Sequence, residues 1–117
     1  FDINGTRDPA AITIVAGVSN RFRFINMTTF HQDMIVSLAS DNGTAIWTPI
    51  ARDGADIPSR RRTARTAVQT LTIGQTRDYL FTPRAPGEYR LLFWGYPGDT
   101  LRATLPVHVI AGVVARR

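Results

Sequence analysis

Short runs in which apolar and polar residues alternate recur along this chain, and they constrain its fold more than any other feature. The clearest run is Arg21 to Asn26, where Phe22 and Phe24 fall on one face and Arg21 and Arg23 on the other. A period of two places successive side chains on opposite faces of a β-strand, so this run predicts a half-buried strand. No segment has the sustained period of 3.6 residues that is typical of an amphipathic helix.

Similar runs predict about eight strands with a turn after each, the spacing typical of a β-sandwich or barrel. The other predicted strands are Ile12–Val15, Met34–Leu38, Ala45–Ile50, Val68–Ile73, Asp78–Thr82, a strand with Tyr89, Leu91 and Phe93 on one face, and Leu101–Val109.

Two connections between these strands also have distinctive sequences. The turn Asp41-Asn42-Gly43 predicts a hairpin in which Ala45–Ile50 returns along the preceding strand, with an edge or a bulge at Pro49. Asp53–Ala67 contains glycine, proline and the run Arg60-Arg61-Arg62, and it predicts a long exposed loop.

Composition excludes several classes of function. The chain has 117 residues, a length typical of one domain spanning residues 1–117, and it has no cysteine. A disulfide framework, a thiolate metal site and a cysteine nucleophile are therefore excluded. The net charge is +5, but no aromatic residues are interleaved with the arginine run, so we expect no nucleic-acid partner. The longest apolar stretch, Leu105–Ala115, is too short to span a membrane.

Three groups of residues resemble the plastocyanin-like (cupredoxin) domains of the multicopper oxidase family. The first runs from Ile3-Asn4-Gly5 to Arg21–Asn26. The second combines Asp53-Gly54-Ala55-Asp56 with Ile73–Tyr79, and the third is Pro86-Gly87-Glu88-Tyr89. Their order and spacing cover residues 1 to about 110 and resemble most closely the middle domain of three-domain oxidases. The resemblance implies an all-β fold, a two-sheet Greek-key β-sandwich of cupredoxin type.

The resemblance also indicates where copper ligands belong in such domains. In copper-bearing members, a His-Cys-His or His-Ser-His triplet begins three residues after the tyrosine of the third group. Here those positions are Leu92, Phe93 and Trp94, and none of them can bind copper. A blue-copper centre needs a thiolate and two imidazoles, and this chain has two histidines but no cysteine.

We therefore expect no catalytic residue, no cofactor-binding residue and no metal ligand in this chain. The only candidates for a hard-metal site are His31, Asp33 and His108. The candidates for an interaction surface are Trp47, Trp94 and Tyr96, because large aromatic side chains at a strand end are suited to docking.

The sequence thus predicts a non-catalytic spacer domain whose partners are neighbouring copper-binding cupredoxin domains of the same protein. Because the chain begins with Phe1, we expect it to be a piece of a longer multicopper-oxidase-like protein. The resemblance implies that copper and oxidase activity belong to that parent protein, and that the parent is periplasmic or extracellular in a bacterium. The alternative is an independent β-sandwich module that binds a carbohydrate or a protein partner.

Overall fold

The computed structural model describes residues 3–4, 9–27 and 33–112, and these residues form an all-β structure. Its one helical element is a 3₁₀ turn at Ser59–Arg61, and no helix among the described residues has the length and apolarity to cross a membrane. The strands are β1 (Ile12–Val15), β2 (Asn20–Ile25), β3 (Met34–Ser40), β4 (Gly43–Thr44), β5 (Ile46–Arg52), β6 (Ala55–Asp56), β7 (Arg65–Thr66), β8 (Val68–Leu71), β9 (Thr76–Phe81), β10 (Gly87–Gly95) and β11 (Thr100–Ile110).

The strands form two sheets. The first sheet has the order β1-β11-β10-β3-β4, and β8 also pairs with β3. The second has the order β2-β9-β5-β6, and β7 also pairs with β5. Strand β1 runs parallel to β11, whereas the other pairs are antiparallel. The prediction of a two-sheet sandwich is therefore confirmed.

The alternation in β2 places its two phenylalanines in the core, as predicted. Phe22 is 9% exposed and Phe24 is 8% exposed, while Arg21 and Arg23, which alternate with them, are exposed. The ring of Phe24 lies among aromatic rings from both sheets: its centroid is 5.6 Å from that of Trp47 and 6.4 Å from that of Phe93. Aromatic contacts therefore join the two sheets at this point.

The opposite face of β2 carries an ion-pair cluster. Asp78 on β9 is 1% exposed, and its carboxylate accepts hydrogen bonds from Arg21 Nε at 2.7 Å and Arg23 Nε at 3.0 Å. A buried carboxylate is stable when charged donors surround it, so the arginines that alternate with the core phenylalanines also pair β2 with β9.

The prediction that Ala45–Ile50 pairs with Met34–Leu38 in a hairpin is wrong, because it is the short strand β4 that pairs with β3, whereas β5 pairs with β9. The chain turns at Asp41 and Asn42, and β4 pairs with the end of β3. After Ala45, whose N–H donates to the Leu38 carbonyl at 2.8 Å, the chain passes to the second sheet, where β5 pairs with β9. The bulge predicted at Pro49 is present as a register shift between Pro49 and Ala51.

The interpretation of Asp53–Ala67 as a loop is only partly correct. Most of its residues are exposed, but it contains β6, the 3₁₀ turn and β7, which fold back along β5. Its last residue, Ala67, is fully buried: its N–H donates to the carbonyl of Ala45, where the chain passes between the sheets, and its carbonyl accepts the N–H of Leu38 on β3. The end of this segment is therefore fixed to the first sheet.

Replacement of Phe24 by Ala tests the aromatic contacts that join the sheets. We expect the free energy of unfolding to fall by about 3–5 kcal/mol, since the change removes buried surface and leaves a cavity. Urea unfolding measures the loss, and Ile25→Ala is the matched control because the neighbouring Ile25 is half exposed. A loss at Phe24 below about 1 kcal/mol, or one equal to that of the control, would contradict the assignment.

Candidate functional site

The three positions that correspond to the copper triplet lie in the middle of the first sheet. Phe93 points into the core, where its ring meets that of Phe24, so its neighbours Leu92 and Trp94 lie on the outer face of the sheet. These side chains offer neither an imidazole nor a thiolate, which are the ligands of a blue-copper centre. The residues at these positions therefore do not fit copper.

The structure describes two of the three candidates for a hard-metal site, Asp33 and His108, and these two lie far apart. His31 lies outside the described residues. The carbonyl of Asp33 accepts a hydrogen bond from the Tyr96 N–H at 3.1 Å, just beyond one end of β10, whereas His108 lies opposite Glu88 near the other end. At about 3.3 Å per strand residue, these positions are about 25 Å apart. The His108 ring is hydrogen-bonded through Nδ1 to the Glu88 carboxylate on the surface, and the described residues contain no group of three metal-ligating side chains.

The structure corrects the interpretation of Trp47 as a surface residue. Trp47 is 1% exposed, and its ring stacks on Tyr79 with centroids 4.2 Å apart. The reason is the passage of the chain between the sheets at Ala45, which turns Trp47 into the core at the start of β5. Trp47 cannot contribute to an interaction surface.

Trp94 and Tyr96 lie where a partner can reach them. Tyr96 is 62% exposed, and Trp94 is partly exposed on the outer face of the first sheet. Ile35 on β3 and Leu101 on β11 lie directly opposite Trp94 in the two neighbouring strands. The pairing of β10 with β3 is regular at this point, whereas the register of β10 with β11 shifts between Phe93 and Trp94 and brings Leu101 opposite Trp94. Residues opposite each other share a face, so we call Ile35, Trp94 and Leu101 the outer apolar row.

A second feature is a cavity of about 350 Å³ at the open side of the sandwich. Its walls come from β5, β6, the 3₁₀ turn, β7, β8 and β9, so the segment after β5 covers it. Its apolar wall is formed by Pro49, Ala51, Ala55, Ile57 and Pro58.

The polar wall of this cavity is strongly cationic. Four arginines from four different elements line it, namely Arg52, Arg61, Arg65 and Arg77, against one carboxylate, that of Asp56. Among the described residues, none of the ion pairs involves these five side chains. The Arg77 Nε–H is buried and has no hydrogen-bond partner within that part of the chain. We call this feature the arginine cavity.

Tyr79 connects the arginine cavity to the core. Its ring stacks on Trp47, and its hydroxyl donates a hydrogen bond to Gln69 Oε1, and both Tyr79 and Gln69 line the cavity. Burial raises the pKa of the Tyr79 hydroxyl above 10.0, although the nearby charges of Arg77 and Arg65 act to lower that pKa. The hydroxyl therefore remains a neutral donor at physiological pH.

Sequence reasoning did not find the arginine cavity. It noted the run Arg60-Arg61-Arg62, of which only Arg61 lines the cavity. The other three arginines of the cavity are single residues spread from position 52 to position 77. A cationic cavity built from distant single residues leaves no pattern in the sequence. The only sequence feature that pointed towards an anionic partner was the high arginine content.

The raised pKa of Tyr79 predicts a loss of stability in alkali. The folded chain holds the Tyr79 proton more tightly than the unfolded chain does. The protonated hydroxyl therefore makes its full contribution to the free energy of unfolding below pH 10.0, and this contribution is lost as the pH rises above that value. The chain has 14 arginines and no lysine, so tyrosines are the main side chains that lose a proton in this range.

Tyr79→Phe should therefore make the free energy of unfolding less dependent on pH above 10.0. Urea unfolding at a series of alkaline pH values measures this slope, and Tyr96→Phe is the control at an exposed tyrosine. If the free energy of unfolding of Tyr79→Phe fell with pH as steeply as that of the unchanged chain, the assignment of a raised pKa to Tyr79 would be wrong.

Comparisons with solved structures identify proteins of similar fold. No protein-family model matches the sequence, and no curated protein matches it either. Among solved structures, a multicopper oxidase superposes with a TM-score of 0.67 and 14% identity over 92% of this chain and 36% of its own. The multicopper oxidase from Pediococcus acidilactici superposes with a TM-score of 0.60 and 7% identity over 95% of this chain and 22% of its own.

The chain thus spans about a third or less of the length of these two oxidases. At such low identity the agreement lies in the backbone: both superpositions extend over nearly the whole chain, including its two sheets. The chain therefore has a two-sheet β-sandwich of cupredoxin type, the fold of the multicopper oxidase segments on which it superposes.

Proposed function

We propose that this chain is a copper-free structural domain of a longer multicopper oxidase, in which the copper sites lie in neighbouring cupredoxin domains. One combined observation carries the proposal: the sandwich superposes on part of two multicopper oxidases, while the triplet positions hold Leu92, Phe93 and Trp94. In this proposal the oxidoreductase activity belongs to the parent protein, which is exported to the periplasm or the cell exterior. This domain contributes the distance and orientation between the copper domains.

The surface that docks a neighbouring domain is, in this proposal, the outer apolar row together with Tyr96. Ile35, Trp94 and Leu101 form a continuous apolar strip across three strands, and Tyr96 continues it at the end of β10. Contacts between domains of one chain are moderate in area and mix apolar with polar groups. A row of this size suits such a contact and leaves the chain soluble by itself.

Copper addition provides the first test. The chain should give no intense blue absorption with Cu(II) and should release copper to a competing chelator, because the thiolate that gives the blue colour is absent. Absorption spectroscopy and metal analysis after dialysis against the chelator measure both properties. Copper retained at one equivalent would overturn the proposal and would direct attention to His31 and His108.

Mutation of the docking surface provides the second test. Trp94→Ser and Tyr96→Ser should leave the isolated chain folded but weaken the contact between domains in the parent protein, with lower copper occupancy or faster proteolysis between domains. Val18→Ser is the matched control, since Val18 is an exposed apolar residue in the turn before β2 and outside the row. Equal effects of all three changes in the parent would contradict the proposal.

The same variants distinguish the alternative function. If the isolated chain binds an oligosaccharide or a separate protein tightly, and Trp94→Ser and Tyr96→Ser abolish that binding, the chain is an independent binding module. In the structural-domain proposal the isolated chain shows no such binding.

A further inference from the structure

We propose that the arginine cavity is a binding site for a small organic carboxylate, that is, a monoanion with a compact apolar body. This inference goes beyond the structural role proposed above and does not depend on it, because the cavity lies within this chain. It rests on the charge, the unpaired donor and the wall chemistry of the cavity.

Four arginines line the cavity from four elements, and one carboxylate accompanies them. On the outer face of β2, the fold supplies a carboxylate for its arginines, since Asp78 binds both Arg21 and Arg23. In the cavity, Arg52, Arg61, Arg65 and Arg77 converge from four elements without forming an ion pair within the described residues. Like charges held together repel each other, and a bound anion relieves that repulsion.

Arg77 gives the most specific indication. Its Nε–H is buried without a hydrogen-bond partner among the described residues, and a buried charged donor without a partner destabilises the fold. The guanidinium group presents its N–H donors in a planar fork that matches a carboxylate. The Arg77 side chain lines the cavity, so a carboxylate there would accept a charge-assisted hydrogen bond from its guanidinium group.

The walls favour an organic carboxylate over inorganic phosphate. Pro49, Ala51, Ala55, Ile57 and Pro58 form an apolar side that contacts a hydrocarbon body but not a bare phosphate. The Asp56 carboxylate also lines the cavity but leaves the four arginines in excess, so charge alone does not favour a carboxylate over a phosphate, and the apolar wall makes the distinction.

The size of the cavity limits the ligand. A volume of about 350 Å³ lies at the lower end of the range for small-molecule sites. The Tyr79 hydroxyl is neutral and already donates to Gln69, so it adds no negative charge that would oppose an anion. The ligand class is therefore a single-ring or short-chain carboxylate.

Benzoate is the probe for the test, and benzyl alcohol is its uncharged counterpart. Titration of the chain followed by amide chemical shifts should show saturable binding of benzoate, with the largest shifts at Ala51, Ala55 and Ile57. Benzyl alcohol and inorganic phosphate should bind at least about tenfold more weakly than benzoate. Benzyl alcohol lacks the negative charge that binds the arginines, and phosphate lacks the apolar ring that contacts the apolar wall. Added salt should weaken benzoate binding.

Two arginine variants test the assignment of the charge. Arg77→Met should weaken benzoate binding about tenfold by removing this guanidinium group from the cavity wall. Arg65→Met should weaken benzoate binding as well. Arg65 is exposed on β7, so this variant should still fold even if Arg77→Met does not. Arg84→Met is the matched control: it lowers the net charge equally at an exposed turn outside the cavity, and it should leave binding unchanged.

Several results would overturn the proposal. These are the absence of saturable binding at millimolar benzoate, equal binding of benzyl alcohol, equal binding of phosphate, and an equal effect of Arg84→Met. A glutamate-rich peptide that binds more tightly than benzoate would also overturn it, in favour of an acidic protein segment. None of these results bears on the copper and docking tests of the structural role.

Discussion

The contact of Phe24, Trp47 and Tyr79 is the interaction on which the rest of the structure depends. Phe24 lies 5.6 Å from Trp47 and 6.1 Å from Tyr79 between ring centroids, and Trp47 stacks on Tyr79 at 4.2 Å. The three residues belong to β2, β5 and β9, so their packing fixes the order of the second sheet. The further contact of Phe24 with Phe93 on β10 then sets the position of the first sheet. The hydroxyl end of Tyr79 lies at the arginine cavity, and the core and the cavity thus share one side chain.

Arginine serves two different purposes in this fold. Arg21 and Arg23 lie on an outer face and donate hydrogen bonds to the buried carboxylate of Asp78. The four arginines of the cavity have no such partner among the described residues and gather around a partly apolar space. The first arrangement stabilises the pairing of β2 with β9. The second adds repulsion between like charges to the folded state, and the fold itself does not require it.

The sequence predicted those features that depend on neighbouring residues. Alternation in β2 identified Phe22 and Phe24 as core residues, and Pro49 indicated the bulge in β5, because strand faces and bulges are decided within a few positions. The passage from the first sheet to the second after Ala45 was missed, since alternation shows which face is buried but not which sheet a strand joins. Trp47 was misplaced for the same reason. The cavity was missed because Arg52 and Arg77 come together only when β5 pairs with β9.

Both proposals assign a use to features that a sandwich of this kind does not need for folding. Locally unfavourable features in proteins concentrate at functional positions, where a gain elsewhere offsets their cost. Here the unpaired Arg77 donor and the exposed Tyr96 lie in different places: Arg77 lies in β9 of the second sheet, and Tyr96 lies just beyond β10 of the first. A ligand in the arginine cavity would therefore leave the outer apolar row free for a neighbouring domain. The two functions are compatible in one chain, and substitutions at one surface should not affect binding at the other, because sites that are distant and share no partner behave independently.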